Sequence, residues 1–261
     1  MTEPNINENL MSLQTRLDWL RTQGNIPYGY AVTQSNISGK TPVRRYGHNA
    51  DVGATWETLY HESDLYVYLT SAERLQVAST DVDDDGDPAD TGARTLFIQG
   101  LDTNYDLINE TVTLNGQVNV LTDESYLRVF KAYVVTVGTT GVNEGEITVS
   151  NNADNNVLLS IPAGEGESHA AIFTVPADQT LWITHMFGSE ITNKGIHFSL
   201  FTRALDESWR QRHDVLTFQN PFEHLYDFPH SFPEFTDIEI RVMGAAVAGE
   251  AVGGFYGWRE T

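Results

Sequence analysis

Cysteine is absent from the 261 residues. That excludes disulfide staples, thiolate metal centres and cysteine nucleophiles, and it suits any redox compartment. Lysine is nearly absent as well: Lys40, Lys131 and Lys194 stand against twelve arginines. No apolar run approaches the roughly 18 residues of a membrane-spanning helix. The opening Met1-Thr2-Glu3-Pro4-Asn5 has neither the basic nor the apolar stretch of a secretory signal. These features predict a soluble chain that is not exported. Also missing are H-E-x-x-H, G-x-S-x-G and the glycine loops of nucleotide-binding proteins. A glycosidase needs two carboxylates in a cleft, but among 36 acids such a pair carries no information. No enzymatic activity is expected.

Acid is what the chain has in excess. Its 36 Asp and Glu against 15 Lys and Arg leave a net charge of −21. A field of that sign repels phosphate and anionic lipid, so neither nucleic acid nor a membrane is an expected partner. Abundant carboxylates with few lysines fit a protein that works in concentrated salt, where screening acts within a few Å; a GC-rich genome would also swap Lys for Arg. At 40% hydrophobic and 11% aromatic residues the chain is globular rather than disordered.

Periodicity sets the fold class. Leu10, Leu13, Leu17 and Leu20 form one apolar stripe, with Asn5 or Asn7 as cap and Gly24 as stop, which predicts a short N-terminal helix. The stripe can pack on its own domain or dock on a neighbour. After Pro27 the period becomes two. Strands are expected at Leu65–Leu69, Thr95–Gln99, Glu110–Leu114 and Gln117–Leu121, the last two as a hairpin across Asn115-Gly116. Further runs are Tyr126–Val137, Ile147–Val149, Val157–Leu159, Ala171–Val175, Leu181–Ile183, Ile196–Phe201, Val215–Phe218, Ile238–Val242 and Phe255–Trp258. Ala204–Arg212 reads as a short helix. The expected fold is mainly β, one or two antiparallel sandwich or jelly-roll domains behind the N-terminal helix. The expected divisions are 1–40 for helix and arm, 41–138 for a first sandwich, and 139–261 for a second, jelly-roll-like one.

Two stretches stand out as candidate sites. Asp81, Asp83, Asp85 and Gly86 match the first positions of a calcium loop, and Asp87 and Asp90 follow. The twelfth position is Gly92, so the bidentate acid is missing. The loop is either a solvated acidic turn or a site for Ca²⁺, Mg²⁺ or Na⁺; no other cofactor is expected. From Phe218 to Phe235 the chain is dense in aromatics and proline, including Phe222, Tyr226, Phe228 and Phe232. Proline bars it from a central strand, so a long ordered connection is expected. Its rings either cover one end of a sandwich or anchor an interface together with Leu10, Leu13, Leu17 and Leu20; aromatic loops also bind glycans. The eight histidines are scattered, with His185 and His197 near enough in sequence to face each other. Arg94, among many acids, is expected to make a structural ion pair.

The order Tyr46-Gly47-His48-Asn49-Ala50-Asp51-Val52-Gly53, Thr55-Trp56-Glu57-Thr58-Leu59-Tyr60, Asp90-Thr91-Gly92-Ala93-Arg94, Ile98-Gln99-Gly100-Leu101-Asp102 and Glu110–Gly116 resembles virion structural proteins of tailed viruses from marine and saline habitats. Thr174–Leu181 is similar to their strand-turn-strand position. The resemblance covers about 100 residues well and the remainder loosely; the related proteins have a less acidic loop at the position of Asp81–Asp90, so it lends the ion site no support. It implies a non-enzymatic virion component on the capsid surface, made in the host cytoplasm: a capsid decoration or vertex turret that forms a homo-oligomer, trimer or pentamer, and contacts the major capsid protein. A neck or tail component and a glycan-binding module of a tail or spike are the alternatives it leaves open.

Overall fold

A computed structural model of the chain describes residues 28–35, 37–192, 194–245 and 249–261. The expected helix with Leu10, Leu13, Leu17 and Leu20 lies outside the described residues. In chain order the elements are α1 (Tyr28–Thr33), β1 (Lys40–Val52), β2 (Glu57–Thr58), β3 (Glu73–Ser79), β4 (Ala93–Leu101), β5 (Leu107–Thr113), β6 (Val120–Tyr126), β7 (Arg128–Val137) and β8 (Ile147–Asn151). They continue with β9 (Val157–Ile161), β10 (Ile172–Thr174), β11 (Thr180–Glu190), β12 (Ile196–Arg203), β13 (Arg210–Thr217), β14 (Phe222–Phe232), β15 (Asp237–Gly244) and β16 (Gly249–Glu260). The fold is mainly β, and its ladders are antiparallel.

Strands β1, β16, β11 and β14 form one sheet in that order, and β10, β15, β12 and β13 another, with β2 added to β15. Leu181, Ile183, Met186 and Phe255 of the first and Phe198, Leu200, Ile240 and Val242 of the second are all buried in one core. The two layers meet where Gly188 faces Phe198: a Cβ there would sit 2.8 Å from the ring, so only glycine lets the sheets approach. The remaining strands form β6-β3-β8-β9 and β5-β4-β7. Leu75, Val77, Ile147 and Val149 from the former and Leu96, Ile98 and Ala132 from the latter are buried in the same continuous core. Sheet pairing joins strands from both sides of the Gly138–Gly141 stretch, since β3 lies between β6 and β8.

Several local expectations need correction. Asn115-Gly116 does make a tight turn, with Gly116 at φ 55°. Yet β5 leaves it paired with β4, while β6 pairs with β3, so the turn transfers the chain between sheets rather than closing a hairpin. Leu65–Leu69 buries Tyr66 and Leu69, three residues apart, and joins no ladder among the described residues. Side chains take part in its bonds instead: Tyr66 N–H donates to Thr58 Oγ1 and Tyr66 Oη–H to the Val129 carbonyl. Residues 204–212 are a turn leading into β13, not a helix.

Phe218–Phe235 is the largest correction, because residues 222–232 form β14. This is an edge strand, and β11 alone pairs with it. The register breaks between Ile183↔His230 and His185↔Leu225, so residues 226–229 bulge out opposite Thr184. Pro229 occupies that bulge, one of the few places in a sheet where its missing N–H costs nothing.

Candidate functional site

The acidic loop is organised by a residue outside the alternating set. Asp84 is fully buried. Its carboxylate accepts from the backbone N–H groups of Ala93 (2.7 Å), Glu144 and Gly145 (both 2.9 Å) and from the Ser79 hydroxyl. A buried charge satisfied by fixed donors acts as a staple. Asp85 and Asp87 accept from the N–H groups of Asp87 and Ala89, which curls the loop on itself. Arg94 makes no ion pair with these acids; its guanidinium donates to the carbonyls of Pro88 (2.7 Å) and Asp90 (3.2 Å). Of the five expected ligands, Asp81 and Asp83 converge, with Glu144 from the β7–β8 connection as the third carboxylate. Asp85, Asp87 and Asp90 do not join that group. Glu144 lies some 60 residues away in sequence, and no local spacing pointed to it.

Tyr66 and Tyr68 line a buried ionic joint. Arg128 of β7 reaches Asp237 of β15, with Nε at 2.9 Å from Oδ1 and Nη2 at 3.3 Å from Oδ2. Arg203 of β12 adds a bond at 2.6 Å to Oδ2, and the Thr174 hydroxyl one at 2.7 Å to Oδ1. Asp237 is 3% exposed and Arg128 8%. Beside it, Arg241 pairs with the buried Glu239, which also accepts from Thr58 at 2.6 Å. Burial pushes the Glu239 carboxyl above the usual carboxylate range, against the pull of Arg241. The guanidinium planes of Arg128 and Arg203 cover Tyr68, and those of Arg203 and Arg241 cover Trp209. The joint was not read from the sequence. Its signal was the charge at alternate positions of Asp237-Ile238-Glu239-Ile240-Arg241, a strand buried on both faces.

The predicted aromatic interface separates by burial. Phe232 is 6% exposed and belongs to the core. Phe222 packs against Phe198 at 5.3 Å between ring centroids. Tyr226 is half-buried in a stack with His213, His224 and His230. Phe228 alone among the four faces solvent, 87% exposed at the tip of the β14 bulge. Leu225, Phe218 and Leu216 on the same two strands and their turn are exposed too. Among the described residues β13 and β14 each end their own sheet. Val215, paired with Phe198, and Phe222, packed on Phe198, point inward, so Leu216 and Leu225 project from the outward faces of the two different sheets.

His185 and His197 do not face each other. His185 packs on Tyr256 and lies near Glu223, whereas His197 contacts Asp214 and Trp56. A different pair converges. His48 on β1 and His169 in the β9–β10 connection come together with Glu165, and His169 Nδ1 stands 3.0 Å from Glu165 Oε2. His48 Nε2 lies 2.9 Å from Glu250 Oε1. Burial holds the His169 imidazole below its ordinary value, against the pull of Glu165 and Glu167. Separately, a groove of about 950 Å³ runs along the outer face of β1 and β16 beside α1. It is lined by Val32, Pro42, Val43, Pro229 and Trp258, and its titratable lining is limited to Arg44, His185 and Tyr256. Among the described residues it gathers no carboxylate.

No family model matches the chain, and no curated protein matches it in sequence. Among solved structures, "Structure of infectious bursal disease virus Gt strain" aligns over 90% of this chain and 78% of that chain, at 9% identity and a TM-score of 0.20. A likeness at that score carries no argument about fold or function.

Proposed function

We propose that the protein is a non-enzymatic structural component of a virion, a capsid decoration or vertex-turret subunit that self-associates and contacts the major capsid protein. The observation that carries this reading is the exposure of large apolar side chains along β13, β14 and the turn between them. Leu216 on β13, Phe218 in the turn, and Leu225 and Phe228 on β14 are 43%, 52%, 62% and 87% exposed. Exposed aromatic and aliphatic side chains on a sheet scaffold are what interface anchors look like, and a strand that ends its sheet among the described residues can add main-chain bonds to a partner. In a chain of net charge −21 such contacts must be apolar, because surface ion pairs contribute little and like-charged subunits repel. The sequence resemblance to virion proteins points the same way, and the salt adaptation implied by scarce lysine belongs to this reading.

Light scattering of the purified protein in molar salt gives the test. Assembly into a closed oligomer is expected for the native chain. The double substitution Leu225→Asp and Phe228→Asp is expected to return it to monomers without changing its far-ultraviolet circular dichroism. Cryo-electron microscopy of the particle would then place the subunit on head or vertex. A monomer at every concentration that binds a glycan array would replace this reading with a host-surface module.

A further inference from the structure

We propose that His48, His169 and Glu165, with Glu250 beside them, form a site for a divalent transition-metal ion of the Zn²⁺ type. This is independent of the virion reading and of the acidic loop. The donor atoms of His48, Glu165 and His169 all lie within 4.8 Å of one another. In a tetrahedral zinc site, ligand distances of about 2.0–2.2 Å put neighbouring donors about 3.4 Å apart. The pairs His169–Glu165 at 3.0 Å and His48–Glu250 at 2.9 Å already stand near that spacing. Among the described residues Glu250 stands outside that group of three and meets it through His48 alone.

The scaffold under these four residues is fixed. His48 and Glu250 lie on the neighbouring strands β1 and β16, where Asn49 pairs with Ala251. Glu165 and His169 are four residues apart on the connection from β9 to β10, which is tied down at several points. Val134 N–H donates to the Gly166 carbonyl, Ser168 N–H to Ala132 and Ala171 N–H to Leu59. Tyr46 packs edge-on against the His169 ring at 4.9 Å and limits its rotation. Donor chemistry selects the ion: imidazole with carboxylate suits zinc and its neighbours, whereas Ca²⁺ and Mg²⁺ take oxygen alone. The Glu165 carboxylate offsets part of the dication's charge, and Glu250 lies beside His48. Bound there, the metal would clasp the connection between β9 and β10 onto the β1–β16 pair, a structural role.

The test is calorimetric titration of the chelator-treated full chain with ZnCl₂, in moderate salt, with Co²⁺ absorption as a second readout. The expected result is one ion per chain at this site and a rise in melting temperature. A Co²⁺ spectrum with intense visible bands would mark a four-coordinate imidazole–carboxylate centre. The pair His48→Gln with His169→Gln is expected to abolish this binding, and Glu165→Gln alone to weaken it roughly tenfold or more, the scale on which even outer partners act. Glu165 is a partly exposed connection residue, so its variant remains informative if the histidine pair disturbs folding. Asp81→Asn with Asp83→Asn is expected to leave the cobalt spectrum unchanged. Absence of zinc uptake would overturn the proposal, as would uptake that survives Glu165→Gln and the histidine substitutions undiminished.

Discussion

Arg128 shows how much a single side chain carries. It is buried, forks onto Asp237 and donates to the Leu69 and Leu127 carbonyls. Removing one partner of such a pair leaves the other charge uncompensated in low dielectric, which costs about 3–5 kcal/mol. Arg128→Ala is therefore expected to lower the unfolding free energy extrapolated from urea titration by that amount. Arg128→Lys is expected to recover only part of it, since an ammonium cannot reproduce the fork. Asp84 offers a second test. Its carboxylate satisfies three backbone N–H groups and a hydroxyl. Asp84→Ala strands these donors and is expected to cost about 3 kcal/mol, whereas Asp87→Asn on the exposed turn changes stability by less than about 0.5 kcal/mol. Equal effects from the two would remove Asp84 from its role as staple.

At the scale of elements, the β13–β14 corner couples packing to proton uptake. His213 of β13 stacks on His224 of β14 at 4.3 Å between centroids, and Tyr226 and His230 continue the stack. Burial and then the neighbouring His224 hold the His213 imidazole below its ordinary value, Asp214 pulling the other way and His230 adding to the lowering. A folded value below the unfolded one means that the unfolded chain takes up the proton first. Stability is thus lost as the pH falls from the ordinary imidazole value near 6.5 through the lowered one. The drop in melting temperature between about pH 7.5 and pH 5.5 should be smaller in His213→Phe than in the native chain. Identical drops would show that the stack does not titrate as a unit of the fold.

The same elements explain what could be read in advance. Runs such as Thr95–Gln99 and Ile238–Val242 declare themselves because alternation or a short apolar block is enough to specify a half-buried or fully buried strand. β1 was missed because Lys40-Thr41-Pro42-Val43-Arg44-Arg45 is polar and carries proline; it is a strand because β16, some 200 residues later, pairs with it from Lys40↔Glu260 onward. β14 was missed for a related reason, since a proline in a bulge of an edge strand cannot be told locally from a proline in a loop. Leu65–Leu69 failed in the opposite direction, its alternating sequence joining no ladder among the described residues. The loop acids were legible as residues, but the member that matters structurally, Asp84, is set apart only by the fold around it.

At the scale of the whole molecule, the charge of −21 sits on a framework whose strongest ion pairs are internal. These two populations respond differently to salt. Buried pairs such as Arg128–Asp237 are screened little, whereas repulsion among exposed carboxylates acts over the Debye length, about 10 Å at 0.1 M and 3 Å at 1 M. Folding brings the acids together, so low salt penalises the compact state and molar salt relieves it. Raising NaCl from about 0.1 M to 2 M is expected to add about 2 kcal/mol, or roughly 4–8 °C in melting temperature for a chain of this length. Chloride is the right counter-anion, because sulfate would strengthen apolar burial on its own account. Arg128→Ala should keep the full salt gain while losing its constant internal contribution, so native and variant curves should run parallel. A flat native curve would mean that the surface acids are spaced widely enough not to oppose folding, and scarce lysine would then reflect codon composition rather than a saline setting.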